Sequence, residues 1–182
     1  DQDGMHIIKS AYADGIKIVA IYTPEHGFMG VVGAGETIED GIEPITGAPI
    51  YSLYGNQKKP TQEMLNRIDI LVFDMQDIGI RYYTYLSTLT YILEAAAENG
   101  IPVLVLDRLN PMGRDIMGPL LKDKFISFVG MHPIPVRHGM SLGELANMIN
   151  GEGWLKDGVQ AELEVIKYTG KIDKYVGRQA FN

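Results

Sequence analysis

The fold of this chain is decided by the segment Ile68-Asp69-Ile70-Leu71-Val72-Phe73-Asp74-Met75-Gln76-Asp77. Its apolar run lies between Asp69 and Asp74 without polar interruptions, which is typical of a parallel strand that is buried on both faces. We therefore expect this strand to lie in the middle of a sheet. The polar residues Asp74, Gln76 and Asp77 would then stand at its carboxyl end.

Two other apolar runs end in the same way. Residues 16–22 lead into Pro24-Glu25-His26, and residues 101–106 lead into Asp107-Arg108. In open α/β sheets, ligands bind outside the carboxyl ends of the strands. The sequence therefore predicts that the three strand ends converge on one crevice, which is the candidate site.

Helical patterns separate the strands. Helices are expected around Ile7 to Tyr12 with a terminating glycine at Gly15, after Thr61, from Tyr82 or Tyr85 to Gly100, and from a capping box at Ser141 to Gly151. Further short strands are expected at residues 48–55, 134–136 and 161–167, the last at a sheet edge. This alternation predicts an α/β, Rossmann-like fold with a mostly parallel sheet and helices on both faces.

Composition excludes several classes of function. The chain has 182 residues with 16 Lys and Arg against 23 Asp and Glu, a net charge of −7, so it lacks the basic surface that nucleic-acid binding requires. The absence of cysteine excludes disulfides and thiolate chemistry. No apolar run reaches the roughly 18 residues of a membrane span, and the first residues lack the pattern of a signal peptide.

Glu25 is the strongest candidate for acid–base chemistry. It follows a proline at a strand end, which would hold its carboxyl rigidly, and apolar neighbours such as Phe28 could help it to keep a proton. The alternative is a loop acid or a helix cap. Asp74, Asp77 and Asp107 could supply the second carboxylate of a glycoside hydrolase, although one of them is expected only to cap a helix or a turn.

Basic and aromatic residues offer a surface for a sugar or an anion. Arg81 is followed by three tyrosines, among them Tyr83, whose rings could stack on sugar faces or pack in the core. Arg137 and His138 precede the capped helix, whose positive end would attract an anion. The alternative is a structural histidine beside an exposed arginine.

A metal site has weaker support from the sequence. The potential ligands are Glu25, His26, Asp74, Asp77, His132 and His138. No H-x-x-x-H, H-E-x-x-H or D-x-D pattern is present, so a metal-dependent hydrolase would depend on convergence of these residues in three dimensions alone. We predict no metal.

Five motifs together carry a family resemblance. They are Pro24-Glu25-His26-Gly27-Phe28, Tyr51-Ser52-Leu53-Tyr54-Gly55, Phe73-Asp74-Met75-Gln76-Asp77-Ile78-Gly79 with Arg81-Tyr82-Tyr83-Thr84-Tyr85, Leu106-Asp107-Arg108-Leu109-Asn110-Pro111, and Pro135-Val136-Arg137-His138-Gly139-Met140. In this order they resemble the NamZ-type exo-β-N-acetylmuramidases. The resemblance covers most of residues 5–150.

The resemblance implies a bacterial glycosidase that removes N-acetylmuramic acid from the non-reducing end of peptidoglycan fragments, without a cofactor. It implies a Rossmann-like catalytic domain at residues 1–150, incomplete at its start, and an auxiliary domain or terminal extension that begins at residues 151–182. It also implies a secreted or periplasmic location.

The site residues follow from the resemblance and the strand ends together. Glu25 is the expected catalytic acid, with Asp74 and Asp77 as further catalytic candidates. The expected substrate-binding residues are His26, Gln76, Arg81, Tyr83, Asp107, Arg108, Arg137 and His138. Retaining, inverting and acetamido-assisted mechanisms stay open, and a Rossmann-like sugar- or anion-binding domain without catalysis is the alternative function.

Overall fold

The computed structural model describes residues 6–28, 33, 36 and 39–169. The chain divides into an N-terminal unit, Asp1–Ile68, and a C-terminal unit, Asp69–Asn182. Its elements are α1 (Ile7–Ala13), β1 (Ile21–Thr23), β2 (Gly41–Ile42), β3 (Pro49–Ser52), β4 (Leu71–Phe73), α2 (Tyr85–Asn99), β5 (Val103–Leu106), α3 (Leu142–Gly151) and β6 (Leu163–Ile166), with short 3₁₀ turns at Asp123–Phe125 and Lys156–Gly158. Among the described residues, none of the helices has the length and apolar character that a membrane crossing requires.

The N-terminal unit contains a three-stranded sheet in the order β1-β3-β2. β1 and β3 run parallel, with Ile21 opposite Ile50 and Thr23 opposite Ser52, and β2 joins β3 in the antiparallel direction. The strands predicted at residues 16–22 and 48–55 are thus confirmed in type. β1 is shorter than predicted because it begins only at Ile21.

α1 precedes β1 as predicted. The ring nitrogen Nδ1 of His6 accepts a hydrogen bond of 3.3 Å from the Ile8 N–H, which caps the amino end of the helix. Gly15 follows the helix with φ of 80°, a left-handed conformation that glycine adopts without steric cost. The apolar and capping pattern therefore located this helix correctly.

The helix predicted after Thr61 is wrong. Residues 62–67 form turns instead, although the Thr61 hydroxyl accepts from the Met64 N–H at 3.3 Å, as a helix cap would. Arg67 has φ of 68°, so the backbone leaves the helical region one turn after the cap. The cap was recognised correctly, but too few helical hydrogen bonds follow it.

A buried acid organises the loop before β3. Glu43 is 4% exposed, and its carboxylate accepts from the Ile45 N–H at 3.0 Å and from the N–H and hydroxyl of Thr46 at 2.6 and 2.7 Å. The hydrogen bond from the Thr46 hydroxyl is the main cause that lowers the pKa of Glu43. The buried charge is thus satisfied by its own loop.

The C-terminal unit contains a parallel sheet in the order β4-β5-β6. α2 connects β4 to β5, and α3 lies between β5 and β6, which gives two successive β-α-β units and confirms the α/β fold. β6 is the edge strand predicted at residues 161–167. The position of β4 was predicted wrongly: within the described residues it pairs with β5 alone in its sheet, and Val72 is 53% exposed.

The two long helices end where their sequences predict. α2 buries an apolar stripe that includes Leu86, Leu89 and Leu93, and Gly100 ends it in the left-handed conformation. α3 begins with the predicted capping box, in which the Ser141 hydroxyl accepts from the Glu144 N–H at 3.2 Å and the Glu144 carboxylate accepts from the Ser141 N–H at 2.9 Å. The helices contact each other, and α3 contacts β5 and β6.

A histidine lies in the core of the C-terminal unit. His132 is 4% exposed and stacks on Trp154, with ring centroids 5.5 Å apart. The Thr90 hydroxyl donates to the Leu86 carbonyl, so it accepts from His132 Nε2 at 2.8 Å, which places the ring proton on Nε2. Burial lowers the pKa of His132 to about 4. This residue, a metal-ligand candidate in the sequence, is therefore a neutral core side chain near pH 7.

The strand predicted at residues 134–136 is reduced to isolated bridges, in which Arg137 pairs with Ile80 and with Met117. Prolines at positions 133 and 135 remove two backbone donors from this segment, which prevents a continuous ladder. The predicted division at residue 150 stays a prediction. Residues 170–182 lie outside the described part, while β6 belongs to the sheet of the C-terminal unit.

Candidate active site

Glu25 lies in a tight turn directly after β1. The Gly27 N–H donates to the Pro24 carbonyl at 3.1 Å, and His26 and Gly27 both have left-handed backbones, with φ of 78° and 71°. Such a conformation is uncommon for a residue other than glycine and is often found at functional sites. The turn therefore fixes the direction in which the Glu25 side chain leaves the strand end.

Tyr54 is a hydrogen-bond partner of Glu25. Its hydroxyl donates to Glu25 Oε1 at 2.9 Å. The contact follows from the parallel pairing of β1 with β3, which continues past both strands through a 2.8 Å bond from the Leu53 N–H to the Thr23 carbonyl. Tyr54 was not among the predicted site residues. A signal was present, since Tyr54 belongs to the motif Tyr51-Ser52-Leu53-Tyr54-Gly55 that carries the family resemblance.

Asp74 and Arg108 meet at the carboxyl ends of β4 and β5. Because these strands are parallel neighbours, the residues that follow them lie side by side. Arg108 Nε donates to Asp74 Oδ1 at 3.1 Å, and Nη2 of the same guanidinium donates to the same oxygen. The Arg108 side chain is 44% exposed, while that of Asp74 is 18% exposed.

Asp107 caps α3. Its Oδ2 accepts from the Ser141 hydroxyl at 2.7 Å, and its Oδ1 accepts from the Gly143 N–H at 2.8 Å and from the Arg108 N–H at 3.0 Å. A carboxylate is stabilised there by the positive end of the helix. Asp107 is thus the strand-end aspartate that acts as a cap, as expected for one of them. Its carboxylate is also the anion at the positive end of α3.

Asp77 and His138 form a buried pair. His138 Nε2 lies 3.3 Å from Asp77 Oδ2, and the two side chains are 1% and 4% exposed, respectively. Asp77 Oδ2 also accepts from the Gly79 N–H at 2.7 Å, and His138 Nδ1 accepts from the Met140 N–H at 3.3 Å. Since Nδ1 is an acceptor, the ring proton is on Nε2 and faces Asp77. The pair joins the turn after β4 to the turn before α3.

Arg81 and Arg137 hold the long loop between β5 and α3. Arg81 Nη1 donates to the Pro119 and Ile134 carbonyls at 2.8 and 2.6 Å. Arg137 Nη2 donates to the Met112 carbonyl and to Asp115 Oδ2, the latter at 3.3 Å. Both guanidinium groups therefore donate to oxygen atoms of the chain. A substrate that bound to either group would have to replace these contacts.

The remaining predicted residues of the C-terminal unit, Gln76 and Tyr83, lie between β4 and α2. Gln76 Nε2 donates to the carbonyls of Asp77 and Leu109 at 2.6 and 3.1 Å. The Tyr83 ring packs against Tyr85, with centroids 4.5 Å apart. Gln76 thus helps to join the two strand ends, whereas Tyr83 makes an aromatic contact at the start of α2.

Asn110 was missed by the sequence reasoning. Its Nδ2 donates to the Met140 carbonyl at 3.0 Å, and its Oδ1 accepts from the Met112 N–H at 2.9 Å. A Cβ at Gly79 would lie 2.2 Å from that Oδ1, so the glycine is required for the close approach. An Asn-Pro pair after a strand end is a turn signal that could have identified this residue.

The structure therefore brings the predicted residues together in two groups, one in each unit. Glu25 and His26 lie in the turn after β1, with Tyr54 added. The C-terminal group consists of Asp74, Gln76, Asp77, Asp107, Arg108, Arg137 and His138, linked as described above. Within the described residues, no three His, Asp or Glu side chains lie close enough to hold a metal ion. The convergence of both groups on one crevice stays a prediction.

The chain is similar to several known proteins. A family model described as exo-β-N-acetylmuramidase NamZ, N-terminal, matches residues 1–178. The peptidoglycan β-N-acetylmuramidase NamZ of Bacillus subtilis is 52% identical over 153 residues, which is 84% of this chain and 36% of that protein.

Two solved structures from Bacteroides fragilis, both described as DUF1343 family proteins, are also similar. One has a TM-score of 0.82 and 45% identity over 92% of this chain, and the other has a TM-score of 0.78 and 41% identity over 89%. The chain spans 42% of each of these structures and 36% of the Bacillus relative. It therefore corresponds to less than half of each of these three proteins.

Proposed function

This chain belongs to the family described as exo-β-N-acetylmuramidase NamZ, N-terminal, and from that premise we propose that the protein is a peptidoglycan exo-β-N-acetylmuramidase. It releases N-acetylmuramic acid from the non-reducing end of cell-wall glycan fragments. The observation that carries the proposal is the 52% identity with the peptidoglycan β-N-acetylmuramidase of Bacillus subtilis. Because the substrate is part of the cell wall, the proposal includes a secreted or periplasmic location.

Glu25 is the catalytic acid in this proposal. Its carboxylic acid donates a proton to the glycosidic oxygen as the bond from that oxygen to C1 of the muramic acid breaks. A water molecule then adds its oxygen to C1, and the proton that it loses returns to the Glu25 carboxylate, so the acid is restored. The Tyr54 hydroxyl donates to Oε1 at 2.9 Å, which orients the carboxyl group and favours Oε2 as the oxygen that carries the proton. The rigid turn through His26 supports this orientation.

Asp74 and Asp77 are the further candidates for a catalytic carboxylate, but their surroundings differ from those of a nucleophile. Asp77 is 3% exposed and bonded to the Gly79 N–H, and Asp74 is bonded to Arg108. A nucleophile or base must reach the sugar or a water molecule beside it. We therefore assign both aspartates to the support of the site, with Glu25 as the acid.

The test measures release of N-acetylmuramic acid from the disaccharide β-muramyl-N-acetylglucosamine. The protein in its full native length is compared with Glu25→Gln and with Glu63→Gln, a matched control that alters an exposed glutamate of the same unit. Loss of a general acid lowers kcat by about 10²- to 10⁴-fold. We expect that loss in Glu25→Gln and unchanged turnover in Glu63→Gln, with and without chelator.

Three results would contradict parts of this proposal. Absence of turnover in the folded wild-type protein, with retained affinity for muramyl sugars, would favour a non-catalytic binding domain. Loss of turnover in chelator would favour a metal-dependent hydrolase. Full activity of Glu25→Gln would remove Glu25 from the mechanism and leave the activity standing.

A further inference from the structure

N-acetylmuramic acid differs from N-acetylglucosamine by a lactyl group that carries a carboxylate. An enzyme specific for the muramyl sugar needs a feature that recognises this anion, and in proteins that feature is most often an arginine. The candidate cations of the C-terminal unit are Arg81, Arg108, Arg137 and His138. These cations differ in their contacts with the rest of the chain. Our inference rests on the proposed function and on that difference.

Two of the arginines are engaged with the chain. Arg81 Nη1 lies between the Pro119 and Ile134 carbonyls, at 2.8 and 2.6 Å. The Arg137 side chain is 21% exposed and already forms an ion pair of 3.3 Å with Asp115. A substrate carboxylate would have to displace these contacts, which also hold the loop between β5 and α3.

The other features of this region that could bind an anion are His138 and the amino end of α3, and neither is available to a substrate. His138 is 1% exposed, so its ring is out of reach of a ligand. The positive end of α3 is occupied, because Asp107 accepts from the Gly143 N–H and Ser141 accepts from the Glu144 N–H. A substrate carboxylate would compete there with a carboxylate that the chain itself supplies.

Arg108 has a different geometry. Its Nε and Nη2 both donate to Asp74 Oδ1, so that one edge of the guanidinium contacts Asp74. No described residue accepts from Nη1, and Nη2 has a second N–H. These donors form the end of the guanidinium, a fork that fits the two oxygens of a carboxylate. The side chain is 44% exposed, so a ligand can reach it from solvent.

Arg108 is also fixed before a ligand arrives. Asp74 holds the side chain, and Asp107 accepts from the Arg108 N–H at 3.0 Å while it caps α3. A side chain that is already oriented loses less conformational freedom on binding. Its position directly after β5 is at the carboxyl end of a parallel strand, where ligands of α/β proteins bind.

We infer that Arg108 is the residue that binds the lactyl carboxylate of N-acetylmuramic acid, and that Asp74 is the positioning residue that orients it. Arg108 makes the protein select muramyl over glucosaminyl sugars. Asp74 acts through Arg108 and does not touch the sugar.

The test compares Arg108→Met, Asp74→Asn, the double variant and the control Arg67→Met in the protein of full native length. Arg67 is an exposed arginine that precedes the amino end of β4. The Kd of each variant is measured by NMR titration with N-acetylmuramic acid, with its neutral lactyl carboxamide and with N-acetylglucosamine. The carboxamide has nearly the shape of the acid but lacks its charge.

We expect the wild-type protein and Arg67→Met to prefer the acid over the carboxamide. Arg108→Met should weaken binding of the acid by about 10- to 100-fold, as for the loss of a hydrogen-bonded charge, and leave the carboxamide within about 2-fold. Asp74→Asn should give a smaller loss for the acid alone. The double variant should resemble Arg108→Met, because a positioning residue has no effect without the group that it positions.

The inference is overturned if Arg108→Met keeps the wild-type ratio of acid to carboxamide affinity, or if the wild-type protein has no such preference. If Arg108→Met does not fold, Arg108→Lys serves in its place, since lysine keeps the charge and loses the fork. Failure of the proposed function is separate. It would appear as absent turnover of the disaccharide by the wild-type protein, whatever the affinity ratios are.

Discussion

The acids after β1 and those after β4 and β5 have different partners. In the N-terminal unit, Glu25 accepts a hydrogen bond from a neutral hydroxyl, that of Tyr54. In the C-terminal unit, Asp74 contacts the cation of Arg108, and Asp107 accepts two backbone N–H bonds beside a helix end. Cations and helix ends stabilise an ionised carboxylate, and a tyrosine hydroxyl orients a carboxyl group by donating to one of its oxygens.

This difference indicates a division of roles between the two strand-end groups. The aspartates of the C-terminal unit fix the turns that follow β4 and β5 through these hydrogen bonds. Glu25 is the proposed acid, and the Tyr54 hydroxyl orients its carboxyl group. Substitutions in the C-terminal group should therefore change mainly the free energy of unfolding or the affinity for substrate, and those around Glu25 mainly the rate of hydrolysis.

The largest effect on stability is expected for Asp77→Ala. The change leaves the Gly79 N–H buried without its acceptor and removes the carboxylate that lies 3.3 Å from His138 Nε2, which should lower the free energy of unfolding by about 3 kcal/mol. Asp77→Asn keeps an acceptor and should lose less. Urea unfolding followed by fluorescence of Trp154, the single tryptophan, measures both. A loss in Glu25→Gln as large as that in Asp77→Ala would break the proposed division of roles.

A pH effect of similar size is expected from His132. Burial lowers its pKa to about 4 from the ordinary value of 6.5, so between these pH values the unfolded chain binds a proton that the folded chain does not. The contribution of His132 to the free energy of unfolding is therefore fully present above pH 6.5. It decreases by on the order of 3 kcal/mol in total as the pH falls towards 4. The free energy of unfolding, measured across this range, should show a smaller slope in His132→Gln. An equal slope in both proteins would assign the effect to other groups.

A smaller effect is expected for Gly143→Ala, which tests the close contact of α3 with Asp107. The added Cβ would lie 2.7 Å from Asp107 Cγ and 2.5 Å from Val165 Cγ1. Overpacking of this kind should lower the free energy of unfolding by about 2 kcal/mol. Gly151→Ala is the matched control in the same helix, since its Cβ would meet nothing within 4 Å. The Tm from thermal unfolding should be higher for Gly151→Ala than for Gly143→Ala. The reverse order would contradict this tight packing.

The smallest effect is expected for Tyr54→Phe, and it should concern the rate of hydrolysis. Loss of the hydroxyl removes one hydrogen bond to Glu25 and should reduce kcat by about 10-fold, with little change in KM. Tyr12→Phe is a control, because Tyr12 is 51% exposed. Steady-state kinetics with the muramyl disaccharide measures both. A change in KM alone would indicate that Tyr54 binds the sugar and does not orient the acid.

Prediction from the sequence succeeded where the determining interactions are local. The apolar stripe of α2, the Gly100 terminus and the capping box at Ser141 depend on residues at most a few positions apart, and all three are present in the structure. The helix after Thr61 failed for a local reason as well, since the left-handed Arg67 had no signal in the sequence. β4 was misplaced because an apolar run indicates burial but does not identify the neighbouring strands.

The candidate residues at the strand ends could be identified from the sequence alone, because a parallel α/β fold brings functional groups to the carboxyl ends of its strands. The role of each group was decided by tertiary structure. Tyr54 meets Glu25 across 29 positions, Arg108 meets Asp74 across 34, and Asp107 meets Gly143 across 36. Whether a carboxylate transfers a proton, orients an arginine or caps a helix depends on the donor beside it. That donor is chosen by strand pairing and helix packing, which join residues far apart in the chain.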